Sequence, residues 1–428
     1  MEIRVKELEA ENAELRAQLL ALQTKYDELE ASTTVKIQAL IDENEVLAEA
    51  NSVLMENEQI LKRLSAVAQP AETPLHKIPD DLLLPGEGIS TTQLAALDNV
   101  HTVGNLLSVA TPVTHPEVAA TGGVDKQIVV HDWKTQRKLC AVATSAPVLD
   151  IAFNPKQEFG GYFAASFMDA KHAVYKLVEL DGEWRIEEIA HFQDHTRPGA
   201  MRIAWSLSGQ FFATGSSDKS VNIYKCSNLA SSEVPRCEKL KSFYFNGTVE
   251  AITFIPSSSE GGNEHELLAI AVRDDCYVHY VDCVTLEKER INMNQDGIEH
   301  VSYTIMDLQV SPSGKYLLAA TDKDRHFIFP VKSNIVYRNF YGHKAGSYSQ
   351  PRVVWHPSEK YIISNTEDTG GLFVWCIASE RVVETVDAHE KLVRALACSA
   401  STTDSFVLTV SYDKRLKAWR SATTTTTL

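Results

Sequence analysis

The chain has 428 residues, 41 of them Lys or Arg and 57 Asp or Glu, for a formal charge of −16 with 44% hydrophobic residues. No basic tail or stripe exists to meet a phosphate backbone, which excludes autonomous nucleic-acid binding from the expected functions. Nowhere do about 18 apolar residues run together, and the N-terminus MEIRVKELEAENAEL is charged from its second residue, so neither a membrane helix nor a secretory signal is expected.

The expected location is therefore intracellular: the cytoplasm, with the nucleus left open. The seven cysteines, Cys140, Cys226, Cys237, Cys276, Cys283, Cys376 and Cys398, contain no CxxC pair. An odd number scattered in this way predicts reduced packing residues rather than a disulfide framework.

The first 66 residues hold 14 acids and 7 bases, which is −7 of the total charge. Leu8, Leu15, Leu22 and Leu29 recur by sevens, and Val5, Asn12, Leu19, Tyr26 and Thr33 take the a positions of the same frame. This is the pattern of a coiled-coil seam. In a parallel, aligned pair, Arg4 meets Glu9, Glu11 meets Arg16 and Lys25 meets Glu30, so every charged g–e′ pair attracts. Each such exposed pair contributes about 0.2–1 kcal/mol, so the leucines supply stability and the charges select the partner. Asn12 acts in the same sense, because a buried a-position amide finds its mate only when the helices are parallel and in register. The competing reading is one solvated helix.

The seam resumes at Leu40, Leu47, Leu54 and Leu61 after a step of eleven residues. That four-residue stutter predicts local unwinding or a hinge around Ser32-Thr33-Thr34-Val35. Ile41 and Met55 widen the apolar face beyond it, which marks either a docking surface for a different chain or a thicker dimer seam. A helix over 1–66 would run roughly 90 Å. Residues 67–88 contain Pro70, Pro74, Pro79 and Pro85 and read as a linker, with Leu82, Leu83 and Leu84 as a pinning point.

Further along, Asp125, Asp169, Asp218, Asp274, Asp324, Asp368 and Asp413 recur at intervals of 44, 49, 56, 50, 44 and 45 residues, each between two strand-like runs. A period of about 40–50 residues with four short strands per unit is the mark of a radial β-array, whose units cannot bury their apolar faces alone. The expected fold is an all-β seven-bladed propeller over 89–420, preceded by the long α-helical coiled coil and followed by a Thr-rich tail at 421–428.

About 24 residues before four of these aspartates stand His195, His300, His343 and His389, with no such histidine assigned to blades 1, 2 and 4. Ser216 and Ser411 lie two residues before an aspartate, and Trp375 and Trp419 end their runs. These copies resemble the WD-repeat family, in which a histidine, a serine or threonine, the turn aspartate and a tryptophan form a buried network. The resemblance implies a full set in blade 7, His389, Ser411, Asp413 and Trp419. Partial sets follow in blade 6 (His343, Asp368, Trp375) and blade 3 (His195, Ser216, Asp218). Recurrence from blade to blade argues against a catalytic triad.

Too little chain follows Trp419 for a fourth strand in the last blade, so Ile89–Leu94 is expected to supply it and close the ring. One column of the inner strands reads Asp150, Arg202, Ala251, Asp307, Arg352 and Arg394, and the resemblance places it at the mouth of the central channel. Arg273, Lys323 and Tyr412 precede repeated aspartates on the same rim. Guanidinium forks suit carboxylate and phosphate, so Arg202, Arg352 and Arg394 are the candidate dock for an acidic or phosphorylated peptide. The alternative is that they pair with Asp150 and Asp307.

The sequence contains no GxxxxGK[ST], HExxH or GxSxG element, and no catalytic, cofactor or metal-binding residue is expected. A non-enzymatic dimeric scaffold or adaptor that binds proteins or peptides is the expected function. The alternative is the substrate-recognition subunit of a ubiquitin-ligase or conjugation complex. The architecture is similar to the spliceosomal U-box ligase, the autophagy conjugation scaffold and Groucho-like proteins, and TGGVDKQIVVHDW is most similar to the first. No U-box precedes the seam, so ligase activity is not implied.

Overall fold

A computed structural model describes residues 2–67, 76–86, 88–199, 201–230, 233–256, 266–346, 349–399 and 405–423, with α-helical side chains described at Val5 and over 11–44. The chain divides into two compact units, Met1–Lys77 and Ile78–Leu428.

In the first unit, α1 (Glu2–Val67) is a single helix. It is continuous through the stutter around Ser32-Thr33-Thr34-Val35. Thr33 and Thr34 donate their hydroxyls to the carbonyls of Leu29 and Glu30 at 2.7 and 2.8 Å. These back-bonds satisfy both side chains without opening a turn. Val5, Leu15, Leu19, Leu22, Leu29 and Leu40 are all exposed, as is Asn12, so the seam stands open in the single chain. The side chains of Leu8, Leu47, Leu54 and Leu61 lie outside the described residues.

The second unit is a ring of seven four-stranded antiparallel sheets. Blade 1 runs Leu106–Ala110, Val118–Gly123, Gln127–Asp132 and Arg137–Ala143 from the channel outward, and blades 2 to 6 repeat that order. Their second strands, among them VAATGG, YFAASF and LLAIAV, are apolar or small at nearly every position because both faces are covered by neighbouring blades. Alternation returns only in outer strands such as Arg137–Ala143.

The repeated aspartate has a local cause. Lys126, Ala170, Lys219 and Lys414 follow it with φ of 61°, 68°, 68° and 69°. A left-handed residue other than glycine is costly, and the carboxylate offsets this by accepting a backbone N–H two residues on. Lys171, Ser220 and Arg415 donate in this way at 3.4, 3.1 and 3.0 Å. In blade 4 the turn is displaced by one residue. Asp274 itself takes the positive φ of 55°, and Asp275 accepts from Tyr277 N at 3.0 Å, so the periodic aspartate there is Asp275 in function.

Blade 7 is composite. Val393–Cys398, Phe406–Ser411 and Leu416–Thr423 form its first three strands, and Ile89–Leu97 pairs antiparallel with the last, from Ile89 opposite Thr423 to Leu97 opposite Leu416. The expected tail thus begins later than residue 421, since Ser421 is buried within this strand. The segment expected as a linker is also partly structural. Asp80–Leu82 forms a 3-10 turn, and Leu82 is buried among Tyr316, Leu318, Phe340 and Trp375 of blades 5 and 6. Arg338 Nη2 donates to its carbonyl at 3.0 Å, and Tyr316 Oη donates to Asp81.

The cysteine expectation needs correction for one pair. Cys226 and Cys237 face each other across the third and fourth strands of blade 3, 4.1 Å apart at Cα, and form a disulfide. A register shift after Ile223 brings them opposite, which spacing alone does not reveal. Cys140, Cys276, Cys283, Cys376 and Cys398 are free thiols.

Candidate functional site

Two sets of polar side chains repeat around the ring: one inside the blades, the other on the inner strands. In blade 7, His389 Nδ1 lies 2.8 Å from Asp413 Oδ2 and Nε2 lies 2.7 Å from Thr409 Oγ1. Because the carboxylate only accepts, Nδ1 carries the proton and Nε2 takes the threonine hydrogen. Trp419 Nε1 donates to the same hydroxyl at 2.9 Å. The central hydroxyl is therefore Thr409, and the expected one, Ser411, instead donates to Lys391 O and receives Asp413 N.

Blade 3 repeats this with His195, Asp218 and Thr214, at 3.1 and 2.8 Å, while Ser216 accepts from Asp218 N. Blade 1, expected to lack the histidine, has it: His101 meets Asp125 at 2.7 Å and Thr121 at 3.0 Å. All three threonines stand four residues before their aspartate, a spacing present in the sequence.

Two expected members fall outside the pattern. His300 lies near Asn294 and Asp296 rather than Asp324. His343 stacks on His326 at 3.8 Å, Asp368 accepts from Thr366 Oγ1, and Trp375 Nε1 donates to Tyr341 O. The glycine inserted in this blade packs against the next one: a Cβ at Gly370 would lie 1.9 Å from His389 O.

The hydroxyl–imidazole–carboxylate order invites comparison with a nucleophilic relay, but Thr409 and Thr214 are fully buried and no substrate reaches them. The network stiffens the blade. Thr409→Val is expected to leave His389 Nε2 and the Trp419 N–H unsatisfied, costing about 2–4 kcal/mol. Thr409→Ser should keep the protein within about 1 kcal/mol of wild type, and equal denaturant midpoints for the two variants would refute this role.

Burial also sets a pH response. It holds His131 and His343 down to about 4 and His172 to about 3. An unfolded histidine protonates near 6.5 while these do not, so stability is full above that pH and falls as pH drops toward 4. Asp307, raised to about 6 by burial, runs the opposite way and offsets part of the loss. His172, stacked on Phe192, is expected to contribute about 2 kcal/mol of the loss at pH 5. His172→Phe should make the fall of the denaturation midpoint between pH 7 and 5 shallower, with His131 and His343 supplying what remains; an unchanged slope would refute the assignment.

The second repeated set lines a cavity of about 180 Å³ on the axis, bordered by Asp150, Arg202, Asp307 and Arg352. Asp150 Oδ2 accepts Ile203 N from the next blade at 3.1 Å, and Asp307 Oδ2 accepts Val353 N at 3.1 Å. Trp205 and Trp355 then donate back to Ala152 O and Gln309 O. Blades 2–3 and 5–6 thus share one joint, in which an aspartate is followed one blade later by an arginine. Arg352 Nη1 lies 3.6 Å from Asp307, and the Arg202 charge acts on Asp150. Burial nevertheless raises the Asp150 carboxyl above its usual range.

The arginines expected on an open rim are therefore largely enclosed. Arg202 is 6% exposed, with Nε donating to Glu250 O at 2.7 Å and Nη2 to Gln350 Oε1 at 3.2 Å. Arg394 Nη2 reaches the same Gln350 oxygen at 3.4 Å. Arg273 pairs with Glu250 at 2.7 Å, Lys323 is exposed, and Tyr412 sits half-buried beside Arg394. Among the described residues no group of three or more His, Cys, Asp or Glu gathers as a metal site, and no helix is long and apolar enough to cross a membrane.

Ring and turn aspartate define a seven-bladed β-propeller, and three of its blades, 1, 3 and 7, carry the His–Thr–Asp network. The repeat described as WD domain, G-beta repeat matches residues 186–225 and 380–420, the stretches that hold the networks of blades 3 and 7. Protein SOF1 of Saccharomyces cerevisiae is 24% identical over 159 residues, 37% of this chain and 31% of that protein. The match spans about a third of the yeast relative's length.

Proposed function

We propose that this chain is a non-enzymatic scaffold: a parallel homodimer through α1 whose WD-repeat propeller holds protein or peptide partners, acidic or phosphorylated ones at the channel mouth. The observation that carries this reading is the uncovered seam. An apolar stripe of six described positions left in water is stabilised by a second helix, and the g–e′ charges and Asn12 favour an aligned copy of the same chain. An intracellular setting goes with it, the cytoplasm or the nucleus.

A scaffold of this kind acts by avidity, since the second contact to a paired target becomes intramolecular. Light scattering should return twice the 47.5 kDa chain mass at micromolar concentration, and a single-chain mass would end the proposal. A second reading draws on Val35 and Ile41, both exposed around the stutter and off the regular seam. In that reading the chain is the recognition subunit of a ligase or conjugation complex, and α1 as bait captures a different helix in place of, or beside, itself.

A further inference from the structure

Three guanidiniums and two carboxylates face one another at the channel mouth, and the imbalance falls on one residue. Arg202 and Arg352 each follow an aspartate in the preceding blade, Asp150 and Asp307. Arg394 follows Arg352 and has no such mate in the column. Its Nη1 is sealed from solvent without a hydrogen-bond partner, and its Nη2 shares the Gln350 oxygen with Arg202. Tyr412 hydrogen-bonds to the guanidinium and the Asp150 charge also favours it, but burial with the neighbouring Arg202 charge disfavours its ionised form.

A neutral amide oxygen is a weak acceptor for one buried and one half-buried cation. Charge-assisted bonds to an oxyanion are roughly twice as strong as bonds to a neutral acceptor, and an anion there would also satisfy the idle Nη1. Gln350 is held in place by its own N–H, which donates to Glu367 Oε1 at 2.7 Å.

We infer that Arg202 and Arg394 form a site for one oxyanion, a carboxylate or phosphoryl group presented by a partner side chain, and that the Gln350 amide occupies it as a built-in competitor. The inference rests on the peptide-binding reading of the propeller and names its anchoring chemistry. Binding requires only that the Gln350 side chain rotate out. Affinity for acidic partners is thereby set by a residue that does not touch them in the bound state.

The test titrates the full-length chain with inorganic phosphate and, separately, acetate at constant ionic strength, for wild type, Gln350→Ala, Gln350→Ala with Arg394→Gln, and Gln350→Glu. Gln350→Ala should bind at least one anion about tenfold more tightly than wild type, and Arg394→Gln should cancel the gain. A gain for phosphate alone assigns a phosphoryl group; a gain for both assigns carboxylates as well. Gln350→Glu places an internal carboxylate between the forks, so it should raise the melting temperature and abolish the response to either anion. Equal anion affinity in wild type and Gln350→Ala, or a lower melting temperature for Gln350→Glu, overturns the inference. If that happens while the chain still captures acidic peptides, the scaffold reading stands without this site.

Discussion

Deleting Ile89–Leu97 is expected to abolish the cooperative melting of the propeller or lower its midpoint by more than about 15 °C. Eight register pairs join this strand to Leu416–Thr423. Ala95 and Leu97 are buried with Leu106, Trp133, Phe406 and Leu408, which ties blade 7 to blade 1. Thr91 adds two bonds to Glu384 of blade 6, from N at 2.9 Å and Oγ1 at 2.6 Å. Burying one leucine contributes about 1.5–3 kcal/mol, and a whole folded domain has a margin of only about 5–15. Losing the strand also exposes an unpaired edge at the composite blade. Removal of residues 1–67, a separate compact unit, should move the same midpoint by less than about 2 °C. Similar shifts for the two truncations, followed by calorimetry, would show that the ring does not close through this strand.

That strand was legible because Ile89–Leu94 is a strand-like run that lies before the inner strand of blade 1 and has no place in that blade's own four strands. The blade number was legible because an aspartate that offsets a left-handed neighbour must recur at every tight turn. Where one residue is added to the turn, as before Tyr277, the period still registers an aspartate but selects Asp274 when Asp275 makes the bond. Thr121, Thr214 and Thr409 escaped notice because a threonine in a buried strand is also an ordinary β-former, and only the ring-nitrogen distance separates the two roles. His101 was missed although it stands 24 residues before Asp125, the same interval as His389 to Asp413.

The channel column was legible as composition and opaque as chemistry. Asp150 and Arg202 are 52 residues apart, and nothing local says that a carboxylate in one blade caps the first N–H groups of the next. Ring curvature creates that adjacency. It also converts an apparent docking rim into two closed joints and one unmatched arginine. Gln350, which connects Arg202 to Arg394, has no feature that would select it in sequence.

Replacing Leu15 and Leu22 by aspartate is expected to convert the full-length chain from dimer to monomer at micromolar concentration. Both side chains are exposed in the single chain, at 56% and 73%, so the substitutions cost the isolated protomer little. In a dimer they remove four leucines at about 1.5–3 kcal/mol each and set like charges across the seam. The sum, about 6–12 kcal/mol before the charge repulsion, is of the size of the roughly 8.2 kcal/mol that corresponds to a micromolar dissociation constant. Because the propeller forms its own compact unit, its melting point and its affinity for a monovalent peptide should be unchanged. Capture of a target bearing two copies of that peptide should nevertheless weaken about 10²–10⁴-fold, the range lost with intramolecular rebinding. Asn12→Leu provides the opposite control: it should tighten the dimer while permitting antiparallel or shifted pairing, read by disulfide cross-linking of a cysteine placed at Glu11. A monomeric wild type, or a double mutant that retains both its mass and its bivalent capture, would leave the open leucine stripe of α1 without a role in assembly.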